Sequence, residues 1–539
     1  MAIKTRSHSR TSPICLPKVV GADIELGNAI LGLRKQDGTG PEASRLLLRY
    51  MEGVPGSAYT TIATPDPQDI GRKWHRNGSC TYIDLDHAEI ALPETRSAWE
   101  FTAALHAQLK LVEQARIRAN GYLPPGQALQ VVACNTDGSG TSWGSHLNFL
   151  ISRDCFDRIF HLRLDLLLWL ASYQASAIVI CGQGKVGSDN GTDPVDYQIS
   201  QRADFIEEVV ALQTTFKRPI INSRDESLCG LSPDLARFHH ISSDMNLCHT
   251  ANVLKVGALQ ILLAMVEVDS PYICSELVLR EPVRAFLTFS HDPELNATEP
   301  TIAGNEVTML ELQRRFLDAA SAFVATGACD QAVPRANDIL ALWDDTLTRL
   351  ETGDWDTLTR RLDWVLKRAL LEEVLAEEPD LTWESAHIKK LDLLYGSLDP
   401  AEGLYFAMEA AGHVDTLVEP RQIRRFLTAP PSGTRAYTRG NMVRLFGRET
   451  IVSVDWDRIA VRYPERAYYP RTRTVLLDNP LTHTREETGW LFRTRKPAAH
   501  LTVLNQLETV ISPIPPFVTG NAGLVRPALH YPGTGKRYS

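Results

Sequence analysis

The sequence predicts an α+β fold, one large domain followed by a small one, and three observations carry that prediction. Strand-like runs recur at Lys18–Leu26, Leu129–Ala133 and Leu147–Ile151, and Thr81–Ile90 alternates apolar and acidic residues, the period of a strand with one buried face. Helical periodicity takes over through the middle of the chain. After Gly412 both the charge density and the helical pattern fade. The 539 residues, 44% hydrophobic and 22% charged, have an ordinary globular composition.

Taken in order, residues 1–17 are expected to be a disordered arm, since Lys4, Arg6, Arg10 and the serines surround no apolar core. A strand over Lys18–Leu26 ends at Gly27, and a helix follows at Gly40–Met51. Gly53–Asp69, rich in Pro, Gly and Thr, reads as a loop. Asn77-Gly78 signals a tight turn into the strand Thr81–Ile90. Helices are expected at Ser97–Ala119, Leu162–Ser172, Leu254–Glu267, Leu310–Ala325, Ala336–Leu350 and Trp355–Glu378. A helix at Arg435–Phe446 and a strand at Ile451–Val461 belong to the small segment. The expected domains are 18–414 and 415–512, with an extended tail over 513–539 that contains Pro513, Pro515, Pro516, Pro527 and Pro532.

Composition excludes several functions. A formal charge of −9 argues against a dedicated nucleic-acid binder. The apolar stretches Leu164–Ala171 and Val256–Val266 fall short of the roughly 20 residues that span a bilayer, so no membrane role is expected. Nine scattered cysteines, odd in number and without C-x-x-C spacing, predict reduced, buried thiols and a cytoplasmic protein.

Four clusters carry chemistry. In Gly21-Ala22-Asp23-Ile24-Glu25, strand geometry puts Asp23 and Glu25 on one face. Two carboxylates so placed repel unless a cation or proton sits between them, and hard oxygen ligands suit Mg²⁺. A lone D-x-E is more often a solvated strand face. The second cluster, Tyr82-Ile83-Asp84-Leu85-Asp86-His87-Ala88-Glu89, puts Tyr82, Asp84 and Asp86 on one face, and strand faces disfavour such a density of like charge. The third, Asn135-Thr136-Asp137-Gly138-Ser139-Gly140 leading to His146, is a phosphate loop or, more simply, a hairpin turn. Gly182-Gln183-Gly184-Lys185-Val186-Gly187 imitates a dinucleotide fingerprint but lacks the following helix, which rejects it. The fourth runs from Arg202 through Asn222, Arg224 and Glu226 to His239, with arginines suited to clamping carboxylates or phosphates.

In this order the clusters resemble the family of the Pup ligase and the Pup deamidase/depupylase. The resemblance is carried by GADIELG, RNGSCTYIDLDHAEIALPE, NTDGSGTSWGSH, YQISQRADF, TTFKRPIINSRDE, SDMNL, LDWVLKRALL, PPSGTRAYTRGNMVRLFG and VDWDRIAV. It spans roughly residues 18–465, and ALPE, TTFKRPIIN and TRAYTRG look closer to the deamidase branch. It implies a glutamine-synthetase-like, carboxylate–amine ligase fold: a curved antiparallel sheet cradling ATP and Mg²⁺, backed by helices and closed by a small C-terminal domain. Carried over by motif, Asp84 falls on the catalytic aspartate, and Tyr82, Glu89 and Asp23 on metal-site positions, with Glu25 and His239 as further metal candidates. Trp456 falls on a nucleotide-contacting tryptophan, and Arg435, Arg439, Arg224, Asn135 and His146 join the nucleotide-binding set.

Departures from the family pattern stand at Asp23 (Glu in the family), Cys80 (Arg), Leu92 (Thr), Leu147 (Glu), His249 (Glu) and Asn441 (Glu). Six changes around one site would alter metal stoichiometry, nucleotide handling or substrate. The expected activity is hydrolysis of a side-chain amide or isopeptide bond of Pup or a Pup-like peptide. The rivals are an ATP-dependent ligase joining an amine, through an acyl phosphate, to a carboxylate of Pup, a small molecule or a carrier peptide, and an inactive Pup- or nucleotide-binding relative.

Overall fold

The structure is a computed structural model that describes residues 15–33, 39–56, 72–230, 232–463, 471–493, 503–504 and 506–507. Most of the expected arm, most of the loop after Gly56 and the whole Pro-rich tail lie outside these residues. Among the described residues twelve strands precede residue 241: β1 (Val20–Leu31), β2 (Val54–Pro55), β3 (Lys73–Trp74), β4 (Cys80–Asp84), β5 (His87–Ala91), β6 (Ala128–Val132), β7 (Ser145–Ser152), β8 (Lys185–Val186), β9 (Tyr197–Gln198), β10 (Ile206–Ala211), β11 (Arg218–Asn222) and β12 (Leu235–His240). Ten of them form one sheet in the order β10-β11-β12-β7-β1-β5-β4-β3-β2, with β6 paired to the far end of β1. Every pairing in it is antiparallel except β10–β11.

The alternation in β1 does what its period requires. Val20, Ala22, Ile24 and Leu26 enter the core, while Gly21, Asp23 and Glu25 stay half-buried on the opposite face. At Gly27 a side chain would collide with Val132 and Trp143 at 2.6 and 2.8 Å, so the residue lets β6 and the indole close over the strand. Against the apolar face pack the helices Ala98–Asn120, Leu164–Cys181 and His249–Glu267. The last two are long and apolar enough to span a bilayer by length and composition, longer than the apolar stretches in sequence suggest, and both are buried in the core.

Buried charge locks the His249–Glu267 helix at both ends. At its start Asp363 accepts hydrogen bonds from the Leu247 and Cys248 N–H groups, from Asn246 and from the Tyr395 hydroxyl, answering the unpaired N–H groups and the helix dipole. At its end Glu267 pairs with buried Lys18 and accepts from the Leu16 and Ser152 N–H groups. Cys15–Pro17, expected in the disordered arm, are therefore already ordered, with Leu16 buried.

Two expected strands are hairpins. Thr81–Ile90 divides into β4 and β5 because Leu85 and Asp86 adopt positive φ, 42° and 76°, and reverse the chain. Ile451–Val461 divides likewise into β15 (Ile451–Val454) and β16 (Arg458–Tyr463), which with β17 (Arg471–Leu476) make a three-stranded sheet. Between them, β13 (Thr298–Pro300) and β14 (Glu306–Thr308) form a separate ribbon. The expected helix Trp355–Glu378 breaks into Trp355–Leu358 and Asp363–Glu377, and Leu162–Ser172 extends to Cys181.

The small C-terminal sheet shares a core with the edge of the large one: Val54, Trp74, Cys80 and Ala91 pack with Met442, Phe446, Ile451, Val454, Ile459 and Val475. Val414, Val418, Ile423 and Phe426, on either side of the expected break at 414, belong to the large core instead. All nine cysteines are free, and all but Cys15 and Cys274 are buried.

Candidate active site

The face of the large sheet opposite its helices collects the polar positions of five strands. Glu25 lies directly across from Glu89, and Glu89 across from Tyr82. Asp23 lies across from His146, and Asn148 across from His239. Asp84, the last residue of β4, closes the group, and oxygens of Glu25, Asp84 and Glu89 come within 4.8 Å of one another. Asp86, expected beside Asp84, sits exposed in the turn, so the hairpin replaces it with Glu89.

Electrostatics show what this group lacks. Burial pushes Glu89 well above the usual carboxylate range, and the charges of Asp23 and Glu25 push it further; the Tyr82 hydroxyl donates to its Oε1. Burial also raises Glu25, against a hydrogen bond from the Gly144 N–H, and raises Asp23, against Arg237 and a 2.7 Å bond from Asn148 Nδ2. Asp84 is raised by burial too, with Arg224, Arg72 and His87 pulling it down. These carboxylates cannot all ionise side by side without a counter-charge. All-oxygen donors at this spacing fit a hard divalent cation such as Mg²⁺, which Glu25 and Glu89 could hold with Asp84 beside it.

Beside them, His146 and His239 meet edge to face with ring centroids 5.3 Å apart. Burial and nearby arginines hold both well below the usual histidine range, so both rings are neutral. Neither nitrogen of buried His239 has a hydrogen-bond partner among the described residues, which leaves a lone pair for a ligand or cation.

A cleft open to solvent lies next to this face, lined by Asp23, Leu92, Asn148, Arg237, Arg435 and Trp456 among others. Trp456 sits in the turn between β15 and β16, against Arg439 at 4.8 Å and Trp74 at 4.7 Å. Arg435 and Arg439 both bind buried Glu94, Arg435 through Nε at 2.8 Å. Burial would raise Glu94, but the charges of Arg439 and Arg435 prevail and hold it at about 2. Arg439 also donates to the carbonyls of Gly78 and Trp456. Gly78 is at φ 84°, and a side chain there would strike the Ala436 carbonyl at 2.9 Å, so the Asn-Gly turn lets the helix Ala436–Thr450 dock.

Other candidates lie elsewhere. Asn135 is fully buried and spends its amide on the Trp143 carbonyl and the Met245 N–H, inside a plain turn closed by Asp137. Asn222, Arg224 and Glu226 do not share a strand face, because β11 ends at Asn222; Arg224 nevertheless acts on Asp84 through its charge. Nor do the six departures surround one site. Leu147 points into the core, so no ligand position on the polar face is lost there. His249 lies by His106 and Glu409 and accepts from the Leu417 and Val418 N–H groups through Nδ1; this leaves the proton on Nε2 and makes the group a poor metal site. Asn441 binds the Tyr437 carbonyl and Arg444 on its own helix. Asp23, Cys80 and Leu92 remain at the site or its rim.

Asn148 and Arg237 were not singled out in sequence, although period two from His146 and His239 places them on the same face; Arg237 donates to Asn148 Oδ1 at 3.1 Å.

An acid-floored, largely antiparallel sheet, backed by helices and capped by a small second sheet, defines a protein of the carboxylate–amine ligase fold. The solved complex between the prokaryotic ubiquitin-like protein Pup and its ligase PafA superposes with a TM-score of 0.73 at 23% identity, covering 96% of this chain and 99% of that one. The Pup ligase PafA in complex with ADP gives 0.67 at 24% identity, covering 81% and 90%. A depupylase of Acidothermus cellulolyticus is 33% identical over 426 residues, 79% of this chain and 81% of that protein. The family described as Pup-ligase protein matches residues 45–460, and the chain belongs to that family.

Proposed function

We propose that the protein is an enzyme of the Pup system that binds Mg·ATP and hydrolyses a side-chain amide or isopeptide bond of Pup or a Pup-like peptide. The observation that carries the reading is Asp84, a half-buried carboxylate at the mouth of the Glu25–Glu89 pair. It is supported by the similarity to a depupylase and to a Pup ligase described with ADP.

In this reading Asp84, raised by burial with Arg224 and Arg72 opposing the shift, delivers the attack on the amide carbonyl, directly or through a water it deprotonates. Glu25 and Glu89 would hold the cation, and Tyr82 fixes Glu89 through its hydroxyl. A bound Mg²⁺ would supply charge neutralisation. Trp456 and Arg435 line the space for the nucleotide, while Glu94 sets the arginines that carry Trp456.

The test is turnover. Purified protein with Mg·ATP should release free Pup from a Pup conjugate, or ammonia from Pup ending in glutamine, without stoichiometric ADP. Conjugate formation with stoichiometric ADP would instead establish the ligase reading. Neither activity, with nucleotide binding intact, would leave a binding protein.

A further inference from the structure

Buried polar groups are normally hydrogen-bonded, yet a set of them lines one cavity on the helix side of the large sheet, away from the carboxylate face. His240, the last residue of β12, alternates with His239 and so faces the helices Leu164–Cys181 and His249–Glu267. Those helices contribute Tyr173, Gln174 and Lys255 to the lining, and the segment after β12 contributes Ser242 and Asp244. Tyr173, Gln174, His240, Ser242 and Lys255 are each at most 6% exposed.

Their hydrogen-bonding capacity is not met by the protein. The Tyr173 hydroxyl, both amide atoms of Gln174, the Ser242 hydroxyl and His240 Nδ1 have no partner among the described residues. Lys255 donates to the Asp244 carbonyl at 2.8 Å, which uses one of its three N–H groups, and no carboxylate pairs with it among the described residues. The Asp244 carboxylate is spent on the Gln183 and Gln201 N–H groups and the Ser200 hydroxyl. Burial holds His240 at about 3, so its ring is neutral; its proton goes to the Ile220 backbone, and Nδ1 is left as an acceptor.

This chemistry selects the occupant. Lys255, Tyr173 and the Gln174 N–H groups are donors, whereas Gln174 Oε1 and His240 Nδ1 can only accept. An anion would serve the donors and strand the acceptors, and Lys255 would repel a metal cation. Water serves both kinds of group. The cavity, about 20 Å³, exceeds the roughly 10–15 Å³ that a water needs and leaves no room for an organic molecule.

We infer that this cavity is a bound-water site, in which ordered water completes the hydrogen bonding of Lys255, Tyr173, Gln174, Ser242 and His240. The water ties both helices to the end of the strand that carries His239.

Tyr173→Phe tests this by the sign of its effect. Phenylalanine keeps the edge-to-face contacts of the ring with Phe316 and Trp343 and removes only the hydroxyl. A hydroxyl bonded to water contributes to stability, so the folding equilibrium constant of the full chain should fall about two- to tenfold in chemical denaturation. Removal of an unpaired hydroxyl would leave that constant unchanged or raise it, and would overturn the inference. A high-resolution crystal structure of the full chain, grown with bromide in place of chloride, gives the second reading. Ordered water within hydrogen-bond distance of Lys255 and Gln174 is the expected result. Side chains repaired onto one another, a cavity without density, or an anomalous bromide peak inside it would sink the water site.

Discussion

Glu25 and Glu89 stand directly opposite each other on adjacent antiparallel strands, Glu25 half-buried and Glu89 buried. Like charges so placed destabilise a sheet. The arrangement makes sense as the bed of a cation. Mg²⁺ should therefore raise the melting temperature of the nucleotide-free protein, and Glu89→Gln, which relieves the repulsion, should raise the metal-free melting temperature and blunt the response to Mg²⁺. Scanning fluorimetry across a Mg²⁺ series checks both signs.

Asp84→Asn keeps shape and hydrogen bonding but can neither attack nor take a proton. Turnover should fall by about 10² or more, the scale of acid–base catalysis, with the melting temperature and ADP affinity unchanged. Undiminished turnover would remove Asp84 from the chemistry.

Trp456→Ala removes a ring suited to stacking on a nucleobase. ADP and adenosine affinity should fall together by about 1–3 kcal/mol, the range seen for base–aromatic stacking. Calorimetric titration with ADP and with adenosine, in Mg²⁺, reads this out: adenosine is affected as much as ADP.

Glu94 ties the C-terminal helix and Trp456 to the large sheet through Arg435 and Arg439. Its carboxyl is held at about 2 against an ordinary 4.5. The folded state thus keeps it ionised where the unfolded chain protonates it. Its contribution is complete above pH 4.5 and is lost as pH falls toward 2. The melting-temperature gap between the unmutated chain and Glu94→Gln should be wide at pH 7 and close on acidification. Glu94→Ala, which strands two buried guanidiniums, should cost about 3–5 kcal/mol at neutral pH by chemical denaturation.

Much of this was legible in the chain. Period-two alternation is a local property, and it determined that β1 turns Asp23 and Glu25 away from Ile24 and Leu26. Motif order determined the family and marked Asp84, Glu89 and Trp456. Helix starts followed from local chemistry as well, as with Ser97 accepting from the Glu100 N–H.

Only the tertiary structure decided what those residues face. The reversal at Leu85-Asp86 carries no glycine, so sequence reads one strand where two exist, and Glu89 meets Glu25 and Tyr82 only because the chain folds back. Likewise nothing local tells that Asn135 is spent on backbone groups, that Leu147 faces the core, or that Glu94 claims Arg435 and Arg439 across some 340 residues. Periodicity sets which side of a strand a residue occupies. The partner across the sheet, and the charge it presents, is set by register and by contacts between distant segments, which a single sequence does not encode in any one place.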